Sequence, residues 1–188
     1  MPMPVTIENA PLNGLLIVKT GVFHDDRGFF SESYSRDMWK AAGFELPFVQ
    51  DNLSKSKKGT LRGMHYQICP EEMGKLVRCV QGAVFDVAVD LRKGSPSYGK
   101  WFGLELSGEN HLSLWVPAGF AHGFVALEDN SLVHYKCTAH HAPAYERALN
   151  YACPKVGIQW PIEATIVTQK DQDAPMLDDV DTNFVYGG

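Results

Sequence analysis

The stretch "GAVFDVAVDL", residues 82–91, constrains the fold more than any other part of the chain. Its side chains alternate with a period of two: Phe85, Val87, Val89 and Leu91 share one face, and Val84, Asp86, Ala88 and Asp90 share the other. A period of two is the signature of an extended strand, because successive Cβ atoms point to opposite sides of a sheet. The segments "HLSLWVP", "GFVAL" and "SLVHYKCT" read as further strands. Between them stand "SKKGT", "CPEEMG", "RKGSPSYGK", "LSGEN" and "LEDNS", all rich in residues that favour turns. Short strands at this spacing predict one all-β domain built as a sandwich, jelly roll or barrel.

A single helix stands out early, over "SRDMWKAAGF", with Ser35 as its cap, Asp37 in the first turn and Gly43 as its stop. From Pro161 onward the chain is polar and rich in aspartate, with "QKDQDAP" its most unusual piece. No internal repeat, linker or low-complexity tract is visible. Asp86 and Asp90 leave two readings open: a solvent-facing strand face, or a face that lines a barrel cavity.

At 188 residues the chain can bury a proper core, and its 45% apolar and 21% charged fractions are ordinary for a globular protein. A net charge of -5 argues against a general nucleic-acid binder, but not against a small anion held by a few lysines and arginines. The four cysteines Cys69, Cys79, Cys137 and Cys153 form no C-x-x-C pair. No signal peptide is apparent, and no run reaches the roughly 18 apolar residues of a membrane span. A cytoplasmic setting with reduced thiols is the expectation.

Reactive side chains concentrate in "HDDRGFFSE" (24–32), "QDNLSKSKKGTLRGMHYQ" (50–67) and "WVPAGFAHGF" (115–124). A lone histidine in a strand is more often structural than catalytic, but His65 has Arg62 three residues before it. A straight strand would set these two on opposite faces; Gly63 can mark a bulge that turns both toward one cavity. Lys75 opens the next strand and can return close to His65. A catalytic metal is not expected. Gln67 stands two residues after His65, no H-x-H occurs, and the adjacent pair His140 and His141 would diverge across a strand.

Taken together, "DDRGFFSE", "QDNLSKSKKGTLRGMHYQ", "KLVRCVQGAVFDVAVDLRKGSPSYGKW", "LWVPAGFAHGF" and "QKDQDAP" resemble the dTDP-4-dehydrorhamnose 3,5-epimerase family, over about residues 5 to 177. The resemblance implies an all-β, cupin-type double-stranded β-helix (a jelly-roll barrel) with a few short helices. It also implies a single domain over 1–188 with a C-terminal tail from about residue 162, and a homodimer in which N-terminal strands are exchanged. The implied substrate is a nucleotide sugar, a 4-keto-6-deoxyhexose, handled without metal or cofactor, nucleic acid or membrane. Its C4 carbonyl acidifies the hydrogens on C3 and C5, so a base, a cation near the C4 oxygen and an acid on the far side suffice.

Carried over residue by residue, His65 matches the base, Asp171 the carboxylate that orients it, and Lys75 the cation. Arg27 and Arg62 match residues that grip the diphosphate. Gln50, Asn52 and His122 match polar groups around the sugar or its phosphates. Phe30 and Glu32 match residues near the nucleobase, acting across the dimer, and Asp86 matches an inward barrel residue. Without the resemblance, Asp171 would read as a surface residue of an acidic tail and Lys75 as a solvated strand-end lysine.

One departure stands out. Aligned on Tyr135, Lys136 and Pro143, the family's proton-donating tyrosine is replaced by His141, and further on a tryptophan and an aspartate become Tyr151 and Cys153. Either the His141 imidazolium serves as the acid, or the chain epimerises one carbon only or takes a different sugar. A protein that binds the nucleotide sugar without turnover is the alternative from outside the enzymes.

Overall fold

The computed structural model describes residues 5–187. Its strands are β1 (Val5–Asn9), β2 (Leu16–Thr20), β3 (Phe23–Asp25), β4 (Gly28–Phe30), β5 (Gln50–Ser56), β6 (Leu61–Gln67) and β7 (Lys75–Gln81), then β8 (Ala83–Asp90), β9 (Trp101–Ser107), β10 (Leu112–Val116), β11 (Phe120–Ala126), β12 (Ser131–Cys137) and β13 (Glu146–Ala148). Two antiparallel sheets carry the fold. One has the order β1-β2-β10-β7-β12-β5 and the other β13-β6-β11-β8-β9, while β3 and β4 form a separate hairpin. Strands next to each other in a sheet are often far apart in sequence, which is the jelly-roll arrangement expected for an all-β, cupin-type barrel.

The inner faces of the two sheets meet in one apolar core, with Val77, Leu114 and Val133 from the first sheet and Val84, Ala88, Leu106 and Phe124 from the second. Each such side chain, fully removed from water, contributes about 1.5–3 kcal/mol of burial free energy. The outer face of the five-stranded sheet is covered as well. Val87, Val89 and Leu91 of β8 and its following residue pack there with Met64, Tyr66, Leu149, Leu177 and Phe184. This explains why β8 is buried on both sides although only one face was expected to be apolar throughout. A third cluster, Val18, Trp39, Phe44, Leu76 and Trp115, seats helix α1 (Arg36–Ala41) on the outside of the six-stranded sheet.

Helix α1 stops as its glycine predicts. Gly43 takes φ +86, its N–H donates to Lys40 O, and the Phe44 N–H donates to Trp39 O, a pair of bonds that closes the last turn. The expected cap is corrected: Ser35 occupies the N-cap position, but its side chain makes no capping hydrogen bond. A short helix that periodicity did not announce, α2 (Gln169–Gln172), lies inside "QKDQDAP", with Thr168 accepting from the Asp171 N–H. The tail from about residue 162 therefore packs on the barrel: Thr60 bridges Ile166 and Lys93 bridges Val185. The single-domain reading also takes in residues 1–4 and 188, which lie outside the described ones. Among the described residues, no helix is long and apolar enough to cross a membrane.

Candidate active site

The site begins with an irregularity where β6 meets β11. His122 pairs with His65 and Phe124 with Arg62, so three steps along β6 match two along β11. Two steps return a strand to the same face and three do not, so the extra residue brings Arg62 round to the side that His65 faces. Gly63 makes this possible. It adopts φ +131, and a Cβ on it would stand 2.9 Å from the His122 carbonyl oxygen. The bulge expected from the sequence is thus present, and Arg62 and His65 line one cavity.

That cavity is the open end of the barrel, in two adjoining lobes of about 300 and 310 Å³. Both lobes are lined by His65, Lys75 and Tyr135. Gln50, Asn52, Tyr66, Gln67, Met73, His141 and Glu146 complete the first lobe; Ser54, Arg62, His122, Phe124, Thr168, Lys170 and Asp171 complete the second. Register explains the convergence. Cys137 pairs with Lys75 on one side and Gln50 on the other, and Tyr135 pairs with Val77 and Asn52, so the other five share the inward face with core residue Val77.

His65 and Asp171 are 106 residues apart in sequence and meet at 2.6 Å, Nε2 to Oδ1. Asp171 is buried and His65 keeps 29% of its side chain exposed. Burial lowers the His65 pKa below its ordinary value, and the hydrogen bond and charge of Asp171 offset this only in part. Burial likewise pulls the Lys75 ammonium below its usual range, opposed by Cys137, Asp86 and Glu146. Burial raises the Tyr135 phenol, which keeps it protonated.

A second histidine–carboxylate pair sits deeper. His122 Nε2 lies 3.0 and 2.9 Å from the two oxygens of Asp86, and both residues are buried. Asp86 points into the barrel between Val84 and Ala88, as the cavity reading of that strand face requires. Asp90, placed on the same face by alternation, does something else. Its carboxylate accepts from the Arg92 backbone and guanidinium and from the hydroxyls of Ser95 and Ser97, which fixes the corner after β8.

His141 stands at the mouth of the first lobe with 53% of its side chain exposed and its Nε2 3.7 Å from Glu146 Oε1. It lies on a loop, not on the strand expected for the His140–His141 pair. Two glutamines hold that loop: Gln50 Oε1 accepts from the His141 N–H at 3.0 Å, and buried Gln67 spans the His140 carbonyl and the Ala142 N–H at 3.2 and 2.9 Å. Glu146 also accepts from Lys170 Nζ at 2.6 Å. Burial alone would raise the Glu146 carboxyl, but the Lys170 hydrogen bond and charge, with His65 and His141, carry it below the usual carboxylate range.

Three expected binding residues are not brought into this cavity. Arg27 lies exposed in the turn of the β3–β4 hairpin, where its guanidinium bonds Asp25 at 3.1 Å, and Phe30 of the same hairpin is 68% exposed. Glu32 is exposed just beyond it. Conversely, Tyr135, Glu146 and Lys170 line the site and were not picked out from sequence. The available signals were the alternation of Tyr135 with core residue Val133 and the position of Lys170 next to Asp171. Among the described residues, no group of three or more His, Cys, Asp or Glu side chains is arranged to hold a metal ion.

Comparison with known proteins agrees with this architecture. A family model described as dTDP-4-dehydrorhamnose 3,5-epimerase matches residues 9–179. A protein of that name from Shigella flexneri is 47% identical over 168 residues, 89% of this chain and 93% of the relative. The crystal structure of a dTDP-6-deoxy-D-glucose-3,5-epimerase from Legionella pneumophila, in complex with dTDP-4-keto-L-rhamnose, superposes with a TM-score of 0.90 at 42% identity, covering 95% of each chain. A 3'-monoepimerase from Streptomyces bikiniensis, in complex with dTDP-quinovose, superposes with a TM-score of 0.85 at 32% identity, covering 91% of this chain and 87% of that one. On this match and this barrel, the chain belongs to the dTDP-4-dehydrorhamnose 3,5-epimerase family.

Proposed function

We propose that this protein epimerises a dTDP-linked 4-keto-6-deoxyhexose, inverting C3 and C5 of dTDP-4-dehydro-6-deoxy-D-glucose to give dTDP-4-dehydro-L-rhamnose. The observation that carries this reading is the 2.6 Å contact between His65 and Asp171, facing Lys75 across one cavity of a family barrel. Asp171 accepts a proton-bearing Nε2, which leaves His65 Nδ1 with its lone pair as the base. His65 removes hydrogen from the carbon beside the ketone, and the electrons move into the C4 oxygen as an enolate. The Lys75 ammonium stabilises that oxygen, and His141 returns a proton from the opposite side.

Arg62, Gln50, Asn52 and His122, with Asp86 behind it, hold the sugar and diphosphate. Arg27, Phe30 and Glu32 belong to this reading through a homodimer that exchanges N-terminal strands, in which the exposed hairpin of one subunit reaches the cavity of the other. The reaction is redox-neutral and starts from a carbonyl already in the substrate, so it needs no cofactor, and its setting is cytoplasmic.

A second reading, inversion of C3 alone, is favoured by His141 standing where the family tyrosine is expected. One experiment separates these possibilities: incubation with dTDP-4-keto sugars in heavy water, followed by NMR and mass analysis. Deuterium at both C3 and C5 with inverted products is the expected result, and label at C3 alone supports the single epimerisation. Binding of dTDP without label in any sugar would leave a binding protein.

A further inference from the structure

A helix as short as α2 is marginal in water, since nucleation fixes more backbone freedom than its few hydrogen bonds return. Asp171 nevertheless stands on it and keeps a 2.6 Å contact with His65. Thr168 caps the start of α2, and Asn150 holds its end. Asn150 is buried and lines neither lobe of the cavity. Its Nδ2 donates to the carbonyl oxygens of Gln172 and Ala174 at 2.8 and 3.2 Å, where the end of a helix leaves carbonyls without internal partners. Its backbone N–H donates to Pro175 O at 2.8 Å, and its Oδ1 accepts from the Ala152 N–H at 2.9 Å, which fixes the orientation of the amide.

The same segment is tied to His65 from the other side. Leu149, the residue before Asn150, donates to Met64 O at 2.9 Å, and Ala148 pairs with His65 across β13 and β6. A closed ring results: His65, Met64, Leu149, Asn150, Gln172, Asp171 and back to His65. Every link in it is a covalent bond or a hydrogen bond, so a shift at Asn150 is felt where the two side chains meet. We propose that Asn150 is a positioning residue for the His65–Asp171 pair, clamping α2 to the chain leaving β13 so that the carboxylate stays on Nε2 and Nδ1 faces the substrate. The proposal rests on the epimerase reading above. Asn150 touches no reacting atom and acts through Asp171.

The test separates positioning from support of the fold. Asn150→Leu keeps much of the side chain's shape but removes both donors. In this variant kcat, read as deuterium wash-in, should fall by about tenfold or more while the Kd for dTDP stays within about threefold, because a misplaced base costs turnover and not binding. The acid limb of its pH–rate profile should move down toward that of Asp171→Asn, since the carboxylate raises the pKa of the ring. Asn150→Ser, whose single hydroxyl donor can serve one carbonyl at most, should lose less. In an Asp171→Asn background, Asn150→Leu should change kcat by less than about threefold, because the partner it positions is already gone.

Loss of kcat and of dTDP affinity by the same factor would make Asn150 part of the general framework and overturn the proposal. So would an unchanged kcat in both Asn150 variants, or full additivity with Asp171→Asn. An unsubstituted protein that binds dTDP but exchanges no hydrogen in any 4-keto sugar tried would instead remove the epimerase reading, and the proposal with it.

Discussion

Gly63 and Gly123 face each other so closely that a Cβ built on Gly63 would stand 2.4 Å from the Gly123 Cα. The reverse is almost as tight: a Cβ on Gly123 would meet the Arg62 carbonyl oxygen at 2.7 Å and the Gly63 Cα at 2.9 Å. Backbone atoms cannot rotate away, so the bulge that turns Arg62 and His65 to one face depends on both glycines. Gly123→Ala should separate β6 from β11, lowering stability by about 1–3 kcal/mol and turnover by more than tenfold. Thermal unfolding together with kcat/KM checks this, and a variant that keeps both would show that the strands can part without moving His65.

The acid side of the pH profile reports His65. A base must be neutral to act, and burial lowers the pKa of this ring, so kcat/KM should hold its value to a lower pH than the roughly 6.5 of a free imidazole. Asp171→Asn removes the interactions that raise that pKa. Its acid limb should move further down while the plateau falls by about 10²–10⁴, because the tautomer and the charged intermediate both lose their partner. A pH–rate series from 4.5 to 8 in about half-unit steps reads both effects.

Lys75 acts on the alkaline side. Lys75→Met should cost about 10²–10³ in kcat, the size expected for losing a group that meets charge developing in the transition state. Asp86 contributes negative charge that supports the buried ammonium. Asp86→Asn should therefore lower the Lys75 pKa further, so that activity falls off at a lower pH than in the unsubstituted protein. Unchanged alkaline limbs in Asp86→Asn would separate Lys75 from the Asp86–His122 pair.

Asp90 concerns stability, not chemistry. Burial would raise its carboxyl, but bonds from Arg92, Ser95 and Ser97 carry it below the ordinary carboxylate value. A depressed folded-state pKa stabilises the native state fully above the unfolded value near 3.9, and that stability disappears as pH falls through the folded value. Asp90→Asn should lose about 2–4 kcal/mol at neutral pH and show a flatter dependence of stability below about pH 4. Denaturant titrations at several pH values measure it, with turnover of the folded fraction unchanged.

The barrel strands could be read from the chain because a period of two survives whatever the strand packs against. Gly63 could be read too, since an arginine and a histidine three apart on a strand need an extra residue to share a face. Asp171 could not. It reaches His65 across 106 residues, through a four-residue helix in a polar tail without periodicity, and only the family resemblance singled it out. Asp90 does end β8 on the face that alternation gives it, opposite core residue Phe120, but its carboxylate is taken up by Arg92, Ser95 and Ser97, a set of partners that periodicity alone does not announce. The hairpin residues Arg27 and Phe30 match family motifs, yet their position in this chain follows from a turn held by Asp25, which carries them away from the cavity.

The late arrival of Asp171 has a consequence for biosynthesis. All strands of both sheets precede it, and the same C-terminal stretch supplies Leu177 and Phe184 to the covering layer on the outer sheet. A nascent polypeptide can thus assemble its whole β framework around His65 while that ring still lacks its partner. Competence for proton transfer arrives only when the final seam of the fold is laid down.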